Sequence, residues 1–170
     1  MRNVMTVRIQ KAVVGDENAL AELNAFVQEF HVAYNPSYFK RTDPAEVALW
    51  FRGLLEKPTV RIWIADQDGT YAGYAIVFLH ERPANPFCLA RRWIEIDQIG
   101  VRKEYRCSGI GRSLVEQALR FARDENIEDV ELTSWSFNSD AHKAFQKIGF
   151  TPRLIRFGQK VIINNDRSPK

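Results

Sequence analysis

The fold is decided by one short stretch, Arg106-Cys107-Ser108-Gly109-Ile110-Gly111. The segment before it, Trp93–Val101, is rich in Ile and Val and predicts a strand. The segment after it, up to about Asn126, places apolar residues at helical spacing and predicts an amphipathic helix. The two glycines and the serine allow the backbone to pack closely against a large group. Because the N–H groups at a helix N-terminus are unpaired and the helix dipole is positive there, the turn predicts a phosphate or pyrophosphate site.

Two common phosphate-binding motifs do not fit this turn. A Walker loop has Lys and then Ser or Thr after its last glycine, whereas Gly111 is followed by Arg112 and Ser113. A Rossmann fingerprint has a third glycine and an acidic residue at the end of the next strand, and neither is present. The turn therefore serves another kind of phosphate ligand.

Two further motifs flank the turn at fixed spacing. Upstream, Glu95 and Asp97 precede Ile99-x-Val101. Downstream lies Asn138-x-x-Ala141-x-x-x-Phe145-x-Lys147-x-Gly149-Phe150. Together with Arg-x-x-Gly-x-Gly, these motifs resemble the central catalytic strand, the pyrophosphate loop and the last helix of the GNAT superfamily of N-acetyltransferases. The resemblance covers nearly the whole chain and is most specific from Glu95 to Phe150.

The predicted elements follow from apolar periodicity and turn chemistry. Strands are predicted at Thr6–Ala12, Thr59–Ala65, Tyr71–Leu79, Trp93–Val101, Asp129–Trp135 and Leu154–Ile163. Helices are predicted from an Asp16 cap to Asn35, from an Asp43 cap to a point before Pro58, from Ile110 to about Asn126, and at Ser139–Ile148. This order predicts an α/β fold with a mixed sheet and helices on both faces. The resemblance implies a mostly antiparallel sheet whose central strand and the strand after it splay apart to admit pantetheine.

Length and composition predict one domain spanning residues 1–170, with a core at about 7–163. The 170 residues are 45% hydrophobic, enough for a single core. A net charge of +3 without a clustered basic face argues against a nucleic-acid partner. Two cysteines give no disulfide framework, and Met1–Thr6 has no apolar targeting core. No run is long enough to span a membrane, so a cytoplasmic protein is expected.

The resemblance implies acetyl-CoA as the co-substrate and no metal. The residues it assigns to acetyl-CoA are Ile99, Val101, Arg106, Cys107, Ser108, Gly109, Ile110, Gly111, Arg112, Asn138 and Phe145. Several have a second interpretation: Arg106 and Arg112 as solvated side chains, and Asn138 as a helix cap. Cys107 stands where the family most often has Gly, and its amide is expected to serve the phosphate if the local backbone is not left-handed.

Two carboxylates are candidates for the catalytic base. A protonated amine cannot attack a thioester until it loses a proton, which a nearby carboxylate can accept. The position of Glu95 resembles that of the base in histone acetyltransferases, and the position of Asp97 resembles that of an acid in many small-amine enzymes. Glu95 is the preferred base and Asp97 the alternative; in a regular strand both face one side unless a bulge intervenes. The competing interpretation is that both are solvated charges or partners of Arg91 and Arg92. By resemblance, the Ile99 amide stabilises the oxyanion.

Phe145 is the main departure from the family pattern. Much of the family has a Tyr at this position, which protonates the departing thiolate, and Phe cannot do so. Nearby hydroxyls that could substitute belong to Ser134, Ser136 and Tyr105, and a thiolate leaving unprotonated into water is the other alternative.

Two functions from different classes therefore stay open. The first is an N-acetyltransferase that moves an acetyl group to a primary amine by direct attack in a ternary complex. The second is a non-catalytic acyl-CoA-binding or regulatory module of the same fold. The acceptor is open between a small amine, an amino acid or antibiotic amine, and a protein Lys or N-terminus, and a homodimer is left open. Aromatic residues near the first interhelical loop are expected to border the acceptor site: His31, Tyr34, Tyr38 and Phe39.

Overall fold

The structure, a computed structural model, describes residues 7–161. Its elements in chain order are β1 (Val7–Lys11), α1 (Glu17–Tyr34), α2 (Pro44–Leu55), β2 (Val60–Gln67), β3 (Thr70–Arg82), β4 (Arg91–Val101), α3 (Ile110–Asp124), β5 (Asp129–Leu132) and α4 (Ser139–Ile148). A short 3₁₀ turn, Lys103–Tyr105, precedes α3. The described residues form two compact units; the first ends at Phe137 and the second, which contains α4, begins at Asn138.

The sheet confirms the predicted α/β class. Its strands lie in the order β1-β2-β3-β4-β5, and neighbours are antiparallel except for β4 and β5, which are parallel. A parallel pair needs a crossover connection, which α3 supplies. Thr6, placed in the first predicted strand, lies outside the described residues.

Helices cover both faces of the sheet in the first unit. Strand alternation sends Ile62 and Ile64 of β2 into a core with α1 and α2. Between them, Trp63 points the other way, and its ring packs edge to face on Phe121 of α3 with centroids 5.6 Å apart. The α1–α2 core is built from fully buried side chains, including Leu20, Leu23, Phe51, Tyr74 and Ile76. Each contributes about 1.5–3 kcal/mol to folding, so this face anchors the sheet.

The pairing of β4 with β5 is short. It begins at Trp93 opposite Asp129 and ends at Ile96 opposite Leu132, whereas β4 continues to Val101. The predicted β5, Asp129–Trp135, is therefore too long by three residues. The second half of β4 is free of β5, as expected for splayed central strands.

The two predicted helix caps have different outcomes. Asp43 caps α2 as predicted, because its Oδ1 accepts a hydrogen bond from the Ala45 amide at 2.7 Å and Pro44 takes the first helical position. The prediction for Asp16 is wrong: it precedes α1 but makes no side-chain cap. Its own backbone is helical, and its Oδ2 instead accepts from the Val13 amide at 2.9 Å.

The predicted last strand, Leu154–Ile163, is also wrong over the part that the structure describes. Residues 151–161 have no regular secondary structure, and residues 162–163 lie outside the described range. Leu154 is 84% exposed and Phe157 is 91% exposed. An alternating pattern predicts a strand only where a neighbouring strand pairs its backbone, and the sequence does not supply that neighbour. Among the described helices, none has both the length and the apolar character needed to cross a bilayer.

Candidate active site

The middle of β4 contains a β-bulge at Asp97. Ile76 of β3 lies opposite Gln98 and Val77 lies opposite Ile96, so Asp97 has no partner of its own on β3. A bulge bends the strand and redirects the side chains beside it. The regular alternation that would place the two candidate carboxylates on one face is thus broken between them.

Glu95 is hydrogen-bonded to a histidine. Its Oε2 lies 2.8 Å from His80 Nε2, and each side chain is about a third exposed. The imidazole ring stacks on Trp93, with centroids 4.9 Å apart and planes at 18°. His80 and Glu95 come from adjacent strands, β3 and β4, whose register fixes their approach. The pair is therefore positioned by the sheet and by an aromatic contact.

Asp97 is electrostatically coupled to this pair. Desolvation raises the pKa of Asp97 above its ordinary value, and the negative charge of Glu95 raises that pKa further. A hydrogen bond with Gln98 and the influence of His80 lower it without cancelling the rise. Part of the Asp97 side chain stays exposed, so solvent and ligands reach it. His80, Glu95 and Asp97 form one electrostatic unit, called here the acid–histidine group.

The raised pKa of Asp97 has a consequence for stability. Between its unfolded pKa of about 3.9 and its higher folded value, the folded protein binds more protons than the unfolded chain, so stability falls as the pH rises through this window. We therefore expect Asp97→Asn to have a higher urea midpoint than the wild type at pH values above this window. At pH values below it, the two midpoints should be equal. Equal midpoints at all pH values would contradict the raised pKa.

Arg91 does not pair with either candidate base. Its guanidinium contacts Asp129 at 3.2 Å and also Glu131, both on β5, and it lies over the Trp93 ring. The interpretation of Glu95 as a partner of Arg91 is therefore wrong.

A buried polar network fixes the strand just after the bulge. The Tyr74 hydroxyl donates to Gln98 Oε1 at 2.9 Å, and Asn24 Nδ2 donates to both of them, at 2.9 and 3.0 Å. Burial raises the pKa of Tyr74 well above its usual range, so its hydroxyl keeps its proton. Because buried polar groups are costly to leave unpaired, this network holds Gln98, and with it the bulge, in one position.

The end of β4 presents backbone groups on an open edge. The Arg102 amide donates to Ala72 O of β3. Backbone groups of successive strand residues point to opposite edges, so those of Val101 and Ile99 point away from β3. Pairing with β5 stops at Ile96. The structure thus brings both residues to the edge that the resemblance assigns to the co-substrate.

The loop after β4 has the geometry of an anion-binding turn. Gly109 is left-handed, with φ of 91°, and Ile110 begins α3, so the pair forms a left-handed to right-handed step that aims successive N–H groups into one concavity. Over residues 7–161 no acceptor is recorded for the amides of Cys107, Ser108 or Gly111. A Cβ built on Gly109 would meet no atom within 4 Å, so the backbone of Gly109 is uncovered on that side.

Cys107 differs from its expectation. Its φ is 62°, in the left-handed region that favours glycine. Its amide was expected to serve the phosphate only if the backbone was not left-handed, and this requirement is not met. The left-handed backbone explains why the related family most often has Gly here. The thiol is exposed and free.

The polar side chains around the loop contact protein groups. Arg106 Nε donates to Val101 O at 3.3 Å, and the Ser108 hydroxyl donates to Tyr105 O. Arg112 pairs with Glu116 one helical turn later, at 2.8 Å. The loop therefore offers an anion its backbone amides first.

The second unit contains the remaining predicted site residues. Asn138 caps α4, since its Oδ1 accepts from the Ala141 amide at 3.4 Å. Phe145, half-buried, packs edge to face on Phe150 with centroids 6.2 Å apart. Both observations fit structural roles, and the proposed contacts of these residues with acetyl-CoA stay predictions.

One candidate hydroxyl stands out after β5. Ser134 Oγ is buried and has no hydrogen-bond partner within the described residues. It follows the end of β5 by two positions, where β4 and β5 separate.

Within residues 7–161, no set of three or more His, Cys, Asp or Glu side chains is arranged to hold a metal ion.

The aromatic residues near the first interhelical loop do come together. His31 stacks on Phe39 with centroids 4.7 Å apart, and Tyr34 stacks on Phe137 at 5.1 Å. Burial lowers the pKa of His31, which keeps its ring neutral. Trp135 packs on Phe39 and extends this aromatic cluster.

A comparison with protein families matches the acetyltransferase (GNAT) family over residues 24–150. The chain belongs to the GNAT acetyltransferase family. Among curated relatives of this GNAT chain, rat N-acetyltransferase family 8 member 2 is 27% identical over 88 residues, which are 52% of this chain. The chain spans only 37% of that relative's length. A putative ribosomal protein bS18-alanine N-acetyltransferase of Bacillus subtilis is 24% identical over 68% of this chain and 70% of its own.

Solved structures share the GNAT fold. A tetramutant of the BH1408 protein from Bacillus halodurans superposes with a TM-score of 0.86 and 21% identity, over 91% of this chain and 99% of its own. The aminoglycoside N-acetyltransferase AAC(6′)-Iy in complex with CoA has a TM-score of 0.74 and 16% identity, over 95% of this chain and 99% of its own. At these identities the likeness concerns the fold.

The sequence did not reveal His80. Its role depends on the β3–β4 register, in which His80 lies opposite Trp93 and Phe78 lies opposite Glu95. Paired residues in this part of the hairpin lie equally far along the chain from the middle of the loop that joins β3 and β4, and counting from that point gives this register. The histidine at the end of one strand and the carboxylate on the next would then have been found together.

Proposed function

We propose that this chain is an acetyl-CoA-dependent N-acetyltransferase acting on a primary amine by direct attack in a ternary complex. The observation that carries the proposal is the placement of two features on β4. The acid–histidine group lies at its middle, and the open anion-binding turn follows its end. From Asp97 to Val101 the strand covers roughly 13 Å, a span that an extended pantetheine arm can follow.

The residues of the loop suit a pyrophosphate. The amides from Ser108 to Gly111 and the N-terminus of α3 supply donors and positive potential, and the uncovered backbone at Gly109 leaves room. The β4 edge at Ile99 and Val101 offers strand-like hydrogen bonds. When bound there, acetyl-CoA supplies the thioester that a neutral amine can attack.

The acid–histidine group prepares the amine. Its carboxylates attract the ammonium form, and one member of the group removes the proton; the sequence names Glu95 first and Asp97 as the alternative. The Asn24–Tyr74–Gln98 network keeps the bulge rigid beside it. An amide of the open edge, assigned by resemblance to Ile99, stabilises negative charge on the carbonyl oxygen.

The departing thiolate needs stabilisation that Phe145 cannot give. The buried, unpartnered hydroxyl of Ser134 is the best placed of the three hydroxyls considered, because a hydrogen bond to a ligand would satisfy it. A Ser134→Ala variant with unchanged CoA affinity and a reduced turnover rate would support this role.

The acceptor is proposed only as a class of amine. Relatives are named for ribosomal-protein alanine and aminoglycoside acetylation, so the proposed acceptor is an amine of a small molecule or of a protein N-terminus or Lys. The aromatic cluster at the end of α1 is proposed to border it. The alternative, a non-catalytic acyl-CoA-binding module, is favoured by Phe145 alone.

An amine panel tests the function. Purified protein is mixed with acetyl-CoA and with polyamines, aminoglycosides, amino acids and N-terminal peptides, and free CoA is measured. We expect amine-dependent CoA release for one class. CoA binding without release on any class would favour the non-catalytic module, and absence of both would contradict the proposal.

Cys107 provides a local test of the loop. Both cysteines are exposed, so each should react with a thiol reagent in the free protein. If the loop holds the pyrophosphate, we expect saturating CoA to slow labelling of Cys107 at least several-fold and to leave Cys88 unchanged, as followed by peptide mass spectrometry. Equal labelling of Cys107 with and without CoA would place it outside the contact.

A further inference from the structure

The hydrogen bond between His80 and Glu95 fixes which imidazole nitrogen is available to a ligand. Glu95 Oε2 approaches Nε2 at 2.8 Å, and an ionised carboxylate only accepts. Nε2 must therefore carry the proton. In a neutral imidazole the other nitrogen, Nδ1, then has a lone pair, and it can accept a proton.

The surroundings of His80 hold this arrangement in place. Its ring stacks on Trp93, and Phe78 lies on the same strand face with centroids 6.1 Å apart. Its side chain keeps 35% of its surface exposed, so a ligand can reach it. Glu95 Oε2 already accepts a hydrogen bond from His80. Nδ1 of the imidazole is therefore the more accessible proton acceptor of the pair.

We propose that His80 is the residue that accepts the proton from the amine, and that Glu95 is its positioning residue. This inference rests on the proposed function. In the step, the N–H bond of the substrate ammonium breaks, its electron pair stays on the nitrogen, and the proton forms a new bond to Nδ1. The resulting imidazolium is stabilised by the negative charge of Glu95, as the carboxylate stabilises the histidine of a Ser-His-Asp triad.

Other charged groups near His80 are consistent with this role. Asp97 is electrostatically coupled to both Glu95 and His80. Glu131 lies opposite Glu95 on β5, and Arg91 pairs with both Glu131 and Asp129. The carboxylates around His80 thus give the site negative charge, which attracts a cationic amine.

The pH dependence of turnover distinguishes His80 from Glu95 as proton acceptor. For an amine found in the panel, kcat/KM is measured against pH for the wild type, His80→Gln, Glu95→Gln and the double variant. We expect His80→Gln to lose about a hundredfold to ten-thousandfold and to lose the acidic limb of the profile. Glu95→Gln should lose activity but keep that limb, and the double variant should be no slower than His80→Gln, because the two residues act as a unit.

Two controls separate the possible failures. His142→Gln, on α4, should retain wild-type kcat/KM, and each variant should show the wild-type urea midpoint and CoA affinity. In nitrogen-15 spectra of the wild type, the His80 ring should be the Nε2–H tautomer. An active wild type whose His80→Gln variant keeps both rate and acidic limb would overturn the inference alone. A wild type that acetylates no amine would overturn the proposed function instead.

Discussion

Gly111→Glu should reduce CoA affinity by at least about a hundredfold, measured by calorimetry, while leaving the fold intact. The reason is electrostatic: a carboxylate in the first turn of α3 lies where the pyrophosphate is proposed to bind, and opposed like charges cost several kcal/mol. The fold should tolerate the change, because a Cβ on Gly111 meets only Val101 Cγ2 at an ordinary 3.7 Å. An acidic residue near a helix N-terminus also stabilises the helix.

Matched variants separate charge from size in this experiment. Gly111→Gln has nearly the same volume without the charge and should lose less affinity, and Gly111→Ala should lose least. Gly109 is unsuitable, since its positive φ would strain any side chain. Unchanged affinity in a folded Gly111→Glu protein would remove the pyrophosphate site from this loop.

Glu95→Gln should lower kcat by about a hundredfold to ten-thousandfold and leave CoA affinity nearly unchanged. The amide keeps an acceptor for His80 but removes the negative charge that draws the ammonium form to the site and supports its deprotonation. Activity should recover in part at high pH, where free amine accumulates without help from the enzyme.

Asp97→Asn is the comparison for that result. Asp97 lies at the bulge and is coupled to Glu95 through charge, so we expect a smaller loss of kcat. If Asp97→Asn lost more activity than Glu95→Gln, Asp97 and not Glu95 would be the carboxylate that serves proton removal. Full activity in both variants across the pH range would exclude both carboxylates from proton removal.

The local elements of the first unit could be predicted from sequence because their signals are local. Asp43 followed by Pro44 marks the start of α2, and the apolar spacing after Gly109 marks α3. The last strand could not be predicted reliably, because Leu154 and Phe157 show only a strand-like pattern and no pairing partner. The apolar period within one segment indicates which side chains would face the core if the segment were a strand. Whether the segment pairs with a neighbouring strand depends on a second segment as well.

Features of the candidate site that depend on one segment can be named from the sequence, and those that depend on two segments cannot. Glu95 and the Gly109–Gly111 turn come from single stretches of sequence. His80 enters through the β3–β4 register, and the bulge at Asp97 through a shift in that register. The sequence left the backbone conformation at Cys107 open, and the structure shows that it is left-handed, which is rare for a non-glycine residue.

The central claim is that an acetyl group passes directly from acetyl-CoA to an amine. It is tested most directly with acetyl-CoA labelled in its acetyl carbons, incubated with the protein and the amine panel, with mass spectra taken of the amines and of the protein. We predict labelled acetyl on one class of amine, an equal amount of free CoA, and no label on the protein. Labelled protein in place of labelled amine, or no transfer to any amine by a protein that binds CoA, would contradict the account.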